Sequence, residues 1–249
     1  MSGELTRDAF LGGRVHAWQP RQGYRAGNDP VLLAAACPAR SGDTVLELGC
    51  GVGVASLCLA ARVPGLHLTG VERQEAYARL AERNAAEAGV DLEIVAADLA
   101  ALPAGLRGRS FDHVIANPPY YRPGGGTAAG DPGREAALRE ETPLLQWTAV
   151  AAARLKPRGW LTMIQSADRL PDLLGALVGM GSVSVLPLQG RAGRPAGRIL
   201  LRARKGGRAP FRLLPPFLLH EGERHLSDGD SYAPEMSAIL RDAFPIDWP

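Results

Sequence analysis

Cysteine is scarce in this chain. There are three in 249 residues, Cys37, Cys50 and Cys58, and no C-x-x-C pair. So sparse and odd a set argues against a disulfide scaffold and a zinc site, so no metal is expected. It fits a reducing compartment, and a cytoplasmic location is expected. No uncharged apolar run approaches the roughly 18 residues of a membrane span, and the N-terminus lacks a basic-then-apolar leader, so no membrane partner is expected. No internal repeat is visible. Acidic residues are missing from one long stretch: Leu186 to Arg212 holds eight basic residues and no carboxylate. The overall charge of +2 requires no polyanionic partner, but that segment suits phosphate contacts and equally suits a solvated face.

What is present reads as an α/β domain of ordinary size, with 46% apolar residues. Met1 to Gly27 reads as irregular. Asn28-Asp29-Pro30 reads as a capped helix start leading into VLLAAA. Strands are expected at Thr44–Leu48, Leu66–Val71, Leu92–Ala96, Phe111–Ala116 and Trp160–Gln165. Helices are expected at Val54–Arg62, Gln74–Ala88, Thr142–Leu155 and Arg169–Met180, with Gly89 ending the second of them. Ser182–Leu188 and Arg198–Arg204 form a last strand pair with no helix between them, and Pro234–Asp242 is a closing helix. Alternating strands and helices imply parallel βαβ units in a Rossmann-like, mostly parallel sheet, with helices on both faces and an antiparallel edge strand. Arg122–Glu141 is a long glycine-rich insertion, the kind that serves function or lacks order.

Three strand ends carry candidate ligand groups. Glu47-Leu48-Gly49-Cys50-Gly51-Val52-Gly53 closes the first βαβ strand and opens a helix. Glycines allow a tight turn and close approach of a ligand, and ligands in such folds lie beyond the carboxyl ends of the strands. A nicotinamide-type fingerprint wants its third glycine where Val54 stands. The G-x-G-x-G spacing suits a nucleoside without a pyrophosphate, or a tight turn with no ligand. Glu72 ends the second strand and can accept hydrogen bonds from ribose hydroxyls, as it also would in a dinucleotide site. Asp98, after the third, suits either an adenine amino group or the cap of the segment from Leu99.

The fourth strand stops at Asn117-Pro118-Pro119-Tyr120. A conjugated NH2 is a poor nucleophile because its lone pair is delocalised. Two acceptors held close together, the Asn117 side-chain oxygen and the Pro118 carbonyl, can bind both N–H protons and favour a pyramidal nitrogen. The prolines restrict the backbone that carries them. Tyr120 offers a face for a planar substrate. Such a site works by orientation and electrostatics, without a strong base.

The combination ELGCGVG, VE, AAD and NPPY resembles the class I S-adenosylmethionine-dependent methyltransferases that modify exocyclic amino nitrogens. QPRQGYRAGNDPVLLAA, RKGG and PPFLLH extend the likeness, from about Thr6 to Leu240, to the bacterial tRNA1(Val) adenine-N6 methyltransferase family. The resemblance implies a seven-stranded class I fold and one domain, with an N-terminal extension 1–43, a core 44–205 and a C-terminal extension 206–249. It implies S-adenosylmethionine held by Tyr24, Glu47, Gly49, Gly51, Gly53, Glu72, Asp98 and Asn117. Catalysis would rest on Asn117, Pro118 and Tyr120. RNA, tRNA in particular, would meet Tyr121, Arg194, Arg198, Arg202 and Lys205. Tyr24 suits the methionine end of the cofactor or the core, and Arg25 a cofactor carboxylate or a surface acid. A monomer is expected. Protein glutamine-N5 methylation uses the same turn, but those enzymes usually carry a helical domain before the glycine-loop strand. A DNA adenine methyltransferase would lack room for a target-recognition domain. A non-catalytic RNA-binding module would leave the NPPY turn idle.

Overall fold

The computed structural model describes residues 4–120, 142–222 and 231–248. Tyr121 and the Arg122–Glu141 insertion lie outside the described residues. The first 27 residues are not irregular, as expected from sequence, but carry an antiparallel hairpin of β1 (Leu5–Phe10) and β2 (Val15–Pro20). The hairpin is held by tertiary contacts that local sequence does not show. The Asn84 side chain accepts from the Trp18 amide at 2.7 Å and donates to the Trp18 carbonyl at 3.1 Å. Arg83 covers the Trp18 ring at 4.2 Å.

The central strands form because their apolar runs can be covered on both faces. β3 (Thr44–Leu48) lies between β4 (His67–Glu72) and β6 (Phe111–Ala116), parallel to both. β5 (Leu92–Ala96) extends the sheet beyond β4, and β7 (Leu155–Ser166) beyond β6, again in parallel. The last long strands are β8 (Met180–Gln189) and β9 (Ala196–Lys205). β9 inserts antiparallel between β7 and β8, giving the order β8-β9-β7-β6-β3-β4-β5. Two short strands, β10 (Arg212–Leu213) and β11 (Phe217–Leu218), add to the expected seven by pairing with β8.

Alternation along each strand divides the core into two layers. Val45, Ile115, Ile164 and Leu200 pack on one face, with α1 (Asn28–Ala36), α2 (Val54–Arg62) and α3 (Glu75–Ala88). Leu46, Val114, Leu161 and Leu201 pack on the other. That face meets α4 (Ala104–Arg107), α5 (Leu144–Arg154) and α6 (Leu170–Ala176). α6 is shorter than the expected Arg169–Met180, because Leu177 leaves the helical region and Gly179 turns at φ +71° into β8. α7 (Pro234–Asp242) buries Met236 and Ile239 against the first layer. The registers Leu48–Val71, Leu48–Ala116 and Glu72–Ala96 align the carboxyl ends of β3 to β6 along one sheet edge.

Candidate active site

The glycine loop crosses that edge between β3 and α2. Gly49, Gly51 and Gly53 all have positive φ, at 65°, 55° and 87°. At Gly49 a Cβ would sit 2.6 Å from the Trp147 ring, so only glycine fits. At Gly51 the Cβ direction is open, and the backbone faces free space on the cavity side. Glu47, in the strand before the loop, is buried, and one of its oxygens accepts from the Ser56 amide at 3.0 Å and hydroxyl at 2.5 Å. Burial pushes its carboxyl up to about 8, against the opposing pull of the Ser56 bonds.

Glu72 clasps the loop from β4. One oxygen accepts from the Gly51 amide at 2.9 Å, the other from the Gln74 amide at 2.8 Å. Burial raises its pKa and these two amides oppose the rise. A carboxylate oxygen has two lone pairs, so each retains room for a hydroxyl donor. Asp98 accepts from the Ala100 amide at 2.7 Å, the capping role open to it, while also lining the cavity.

Asn117 to Tyr120 form the opposite wall of the same cavity. The Asn117 amide nitrogen donates to the Tyr24 hydroxyl at 3.3 Å, which leaves its side-chain oxygen as the acceptor. Gln165, fully buried at the end of β7, donates to the Pro118 carbonyl at 3.5 Å and the Pro119 carbonyl at 3.2 Å. Its own oxygen is fixed by the Ser166 amide at 2.8 Å. Tyr120 donates its hydroxyl to Asp29 at 2.7 Å. Asp29 also pairs with Arg198 at 3.0 Å, and the Arg198 guanidinium stands 5.9 Å from the centre of the Tyr120 ring.

The structure thus brings together Tyr24, Glu47, Gly49, Gly51, Glu72, Asp98, Asn117, Pro118 and Tyr120 around one cavity. Gly53 stands just behind it, as the left-handed residue that starts α2. Tyr24 is both a core contact and a cavity wall, its backbone amide donating to the Tyr77 hydroxyl at 3.0 Å. Arg25 pairs with a surface acid, Asp8, at 2.6 Å. Arg202 and Lys205 do not join the site. Arg202 donates to the Ala36 carbonyl and lies 4.1 Å over the Trp248 ring, and burial lowers its pKa to about 10. Lys205 donates to the Leu155 carbonyl at 2.7 Å. β9 runs antiparallel to β7, so Arg198 lies opposite Ser166 at the active edge while Arg204 lies opposite Trp160 at the far end. The sequence reading also missed two residues. Asp29 was read as part of a helix start, yet neither Asn28 nor Asp29 caps α1: Asn28 donates to Tyr232 and Asp29 faces Tyr120. Gln165 had a visible signal, a lone amide closing the apolar run WLTMI.

Residues 28–131 match the family model described as methyltransferase small domain. A tRNA1(Val) (adenine(37)-N6)-methyltransferase of Porphyromonas gingivalis is 34% identical over 178 residues, 68% of this chain and 69% of that protein. Its namesake in Dickeya chrysanthemi is 29% identical over 233 residues, 90% of this chain and 89% of that protein. Among solved structures, a predicted O-methyltransferase from Agrobacterium tumefaciens aligns with a TM-score of 0.67 at 25% identity, covering 85% of this chain and 94% of that one. By its sequence relatives and by its fold, the chain belongs to the tRNA1(Val) (adenine(37)-N6)-methyltransferase family of class I methyltransferases.

Proposed function

We propose that this protein methylates the N6 amino group of an adenosine in tRNA, the anticodon-loop adenosine of tRNA1(Val), with S-adenosylmethionine as donor. The observation that carries the reading is the NPPY turn on the wall facing the glycine loop, with the Asn117 oxygen left as an acceptor. Bound S-adenosylmethionine supplies the electrophilic methyl group. The residues present fit it: Gly51 leaves its cavity side open, Glu72 keeps lone pairs for ribose hydroxyls, and Asp98 keeps one oxygen beyond its capping bond. Glu47, its carboxyl raised by burial, becomes a better counter-charge when a cationic group enters beside it.

Asn117 and Pro118 orient the target amine through its two N–H groups, and Gln165 braces the Pro118 carbonyl from behind. A backbone carbonyl has two lone pairs, so the brace leaves one for the substrate. Tyr120 supplies the stacking face. The structural neighbour from Agrobacterium tumefaciens is called a predicted O-methyltransferase, but two acceptors side by side at this turn match the two hydrogens of an NH2, whereas a hydroxyl has only one to give. On the RNA side, Arg198 stands between this cavity and a neighbouring one lined by Arg194 and His220. Tyr121 is proposed as a further substrate contact. The whole chain acts as one methyltransferase domain, one copy suffices for the site, and a tRNA acceptor places the work in the cytoplasm. No described helix is long and apolar enough to cross a membrane.

The test is incubation with labelled S-adenosylmethionine and unmodified total tRNA, followed by nucleoside analysis. N6-methyladenosine is expected. Label appearing in protein glutamine instead, or RNA binding with no transfer, overturns the reading.

A further inference from the structure

In the cluster Asp29–Tyr120–Arg198, the carboxylate of Asp29 has no role so far in the reaction. Asp29 lies in the first turn of α1, Tyr120 follows β6 and Arg198 opens β9, so three distant segments converge on one carboxylate. Its side chain is 15% exposed. The oxygen Oδ2 takes both the Tyr120 hydroxyl at 2.7 Å and the Arg198 Nε at 3.0 Å. The other oxygen, Oδ1, is buried and has no hydrogen-bond partner among the described residues. A carboxylate kept for stability alone is a poor choice here. Burying it is costly, and half of its bonding capacity goes unused. Burial raises its pKa, and Arg198 and Tyr120 oppose the rise.

What the arrangement does achieve is to fix a ring. Tyrosine turns about two side-chain torsions, and a stacking face must be held at one angle to be useful. The hydroxyl is the end of the lever, so its bond to an oxygen that Arg198 holds in turn fixes where the ring lies, and because conjugation keeps the O–H in the ring plane, the direction of that bond fixes the ring's rotation as well. Arg198 also stands beside the ring itself. We propose that Asp29 is a positioning residue for methyl transfer, which locks Tyr120 through its hydroxyl in the plane the target base stacks on. This inference rests on the reading of Tyr120 as the base-stacking residue.

The test uses Asp29→Asn, Tyr120→Phe and the double variant. Asp29→Asn removes the charge that both donors are held by and leaves a weaker amide acceptor, whereas Tyr120→Phe removes the hydroxyl and leaves the Asp29–Arg198 pair in place, so it reports even if Asp29→Asn folds poorly. Single-turnover methylation at saturating tRNA is expected to fall about tenfold or more in each single variant, the scale of one hydrogen bond to a charged group. KM for tRNA should change much less. The double variant should be no slower than the slower single one, because both substitutions act on one link. Losses that multiply, or a wild-type rate in either single variant, overturn the proposal. A second readout needs no methyl acceptor: NMR of the free protein with labelled tyrosines. The Tyr120 ring signals are expected to shift and broaden in Asp29→Asn, while those of Tyr77 stay in place. Unchanged Tyr120 signals overturn the proposal whatever RNA the enzyme prefers. A wild-type protein that methylates no RNA, yet shows the shift, sinks the substrate reading alone.

Discussion

Three side chains of the site make separable predictions. Glu47 holds its proton up to about pH 8 in the folded chain, against an ordinary value of 4.5 when unfolded. Between those limits the native state binds more protons than the unfolded state, so stability falls as pH rises through that window. Glu47→Gln is expected to flatten this decline, read by urea denaturation at several pH values; an unaltered slope would mean another group titrates there. Glu72→Ala should weaken S-adenosylmethionine binding by about 1.5–3 kcal/mol, because it removes a charged acceptor and also frees the Gly51 amide. Calorimetry decides it. Asn117→Ala should weaken that affinity far less than Glu72→Ala and slow single-turnover transfer about a hundredfold or more, the scale seen when one preorganised polar group is lost from an active site. Transfer at the wild-type rate would remove the turn from the mechanism.

The elements that hold these side chains explain where tolerance ends. The glycine loop closes against α5 because nothing larger than hydrogen fits between Gly49 and Trp147. Gly49→Ala must find room for a methyl group at φ +65°, and a loss of about 1–3 kcal/mol is expected, with weaker cofactor binding. The N-terminal hairpin depends on one buried amide. Besides its two bonds to Trp18, Asn84 donates to the Val52 carbonyl at 3.0 Å, tying hairpin, α3 and glycine loop together. Asn84→Ala is expected to cost roughly 2–3 kcal/mol in chemical denaturation, since it leaves three backbone groups without their partner. If stability is unchanged, the hairpin is held by Trp18 packing on Arg83 instead.

Across the whole molecule the basic segment is divided by the direction of a strand. Arg194 and Arg198 lie at the active edge, while Arg202 joins α1 to the C-terminal Trp248 within the fold. Salt dependence of tRNA binding separates the two groups. Arg194→Ala is expected to flatten the log–log slope by about 0.7–0.9, the value for one phosphate contact, with no change in thermal stability. Arg202→Ala is expected to lower stability by about 1–3 kcal/mol, from the unpaired Ala36 carbonyl and lost stacking, and to leave the slope alone. An unchanged slope in Arg194→Ala would mark that charge as merely solvated.

The parallel core and the motifs at its edge are legible in the linear chain. TVLEL and FDHVIA read as strands because parallel strands buried on both faces are nearly continuous apolar runs. Glycines and prolines then mark where each run must turn, so Glu47, Glu72, Asp98 and Asn117 were all legible as strand-end residues. Other features came only from tertiary structure. LTRDAF and VHAWQP mix charge with short apolar spacing, and the hairpin they form is tied to the domain through Asn84, far along the chain. The eight basic residues from Leu186 to Arg212 look alike in sequence, since nothing local tells a residue near the active edge from one at the far end of the same strand. Asp29 looked like part of a helix start for the same reason. Its neighbours in sequence are consistent with a cap, but a buried carboxylate takes the strongest donors that folding brings within reach, and these come from Tyr120 and Arg198.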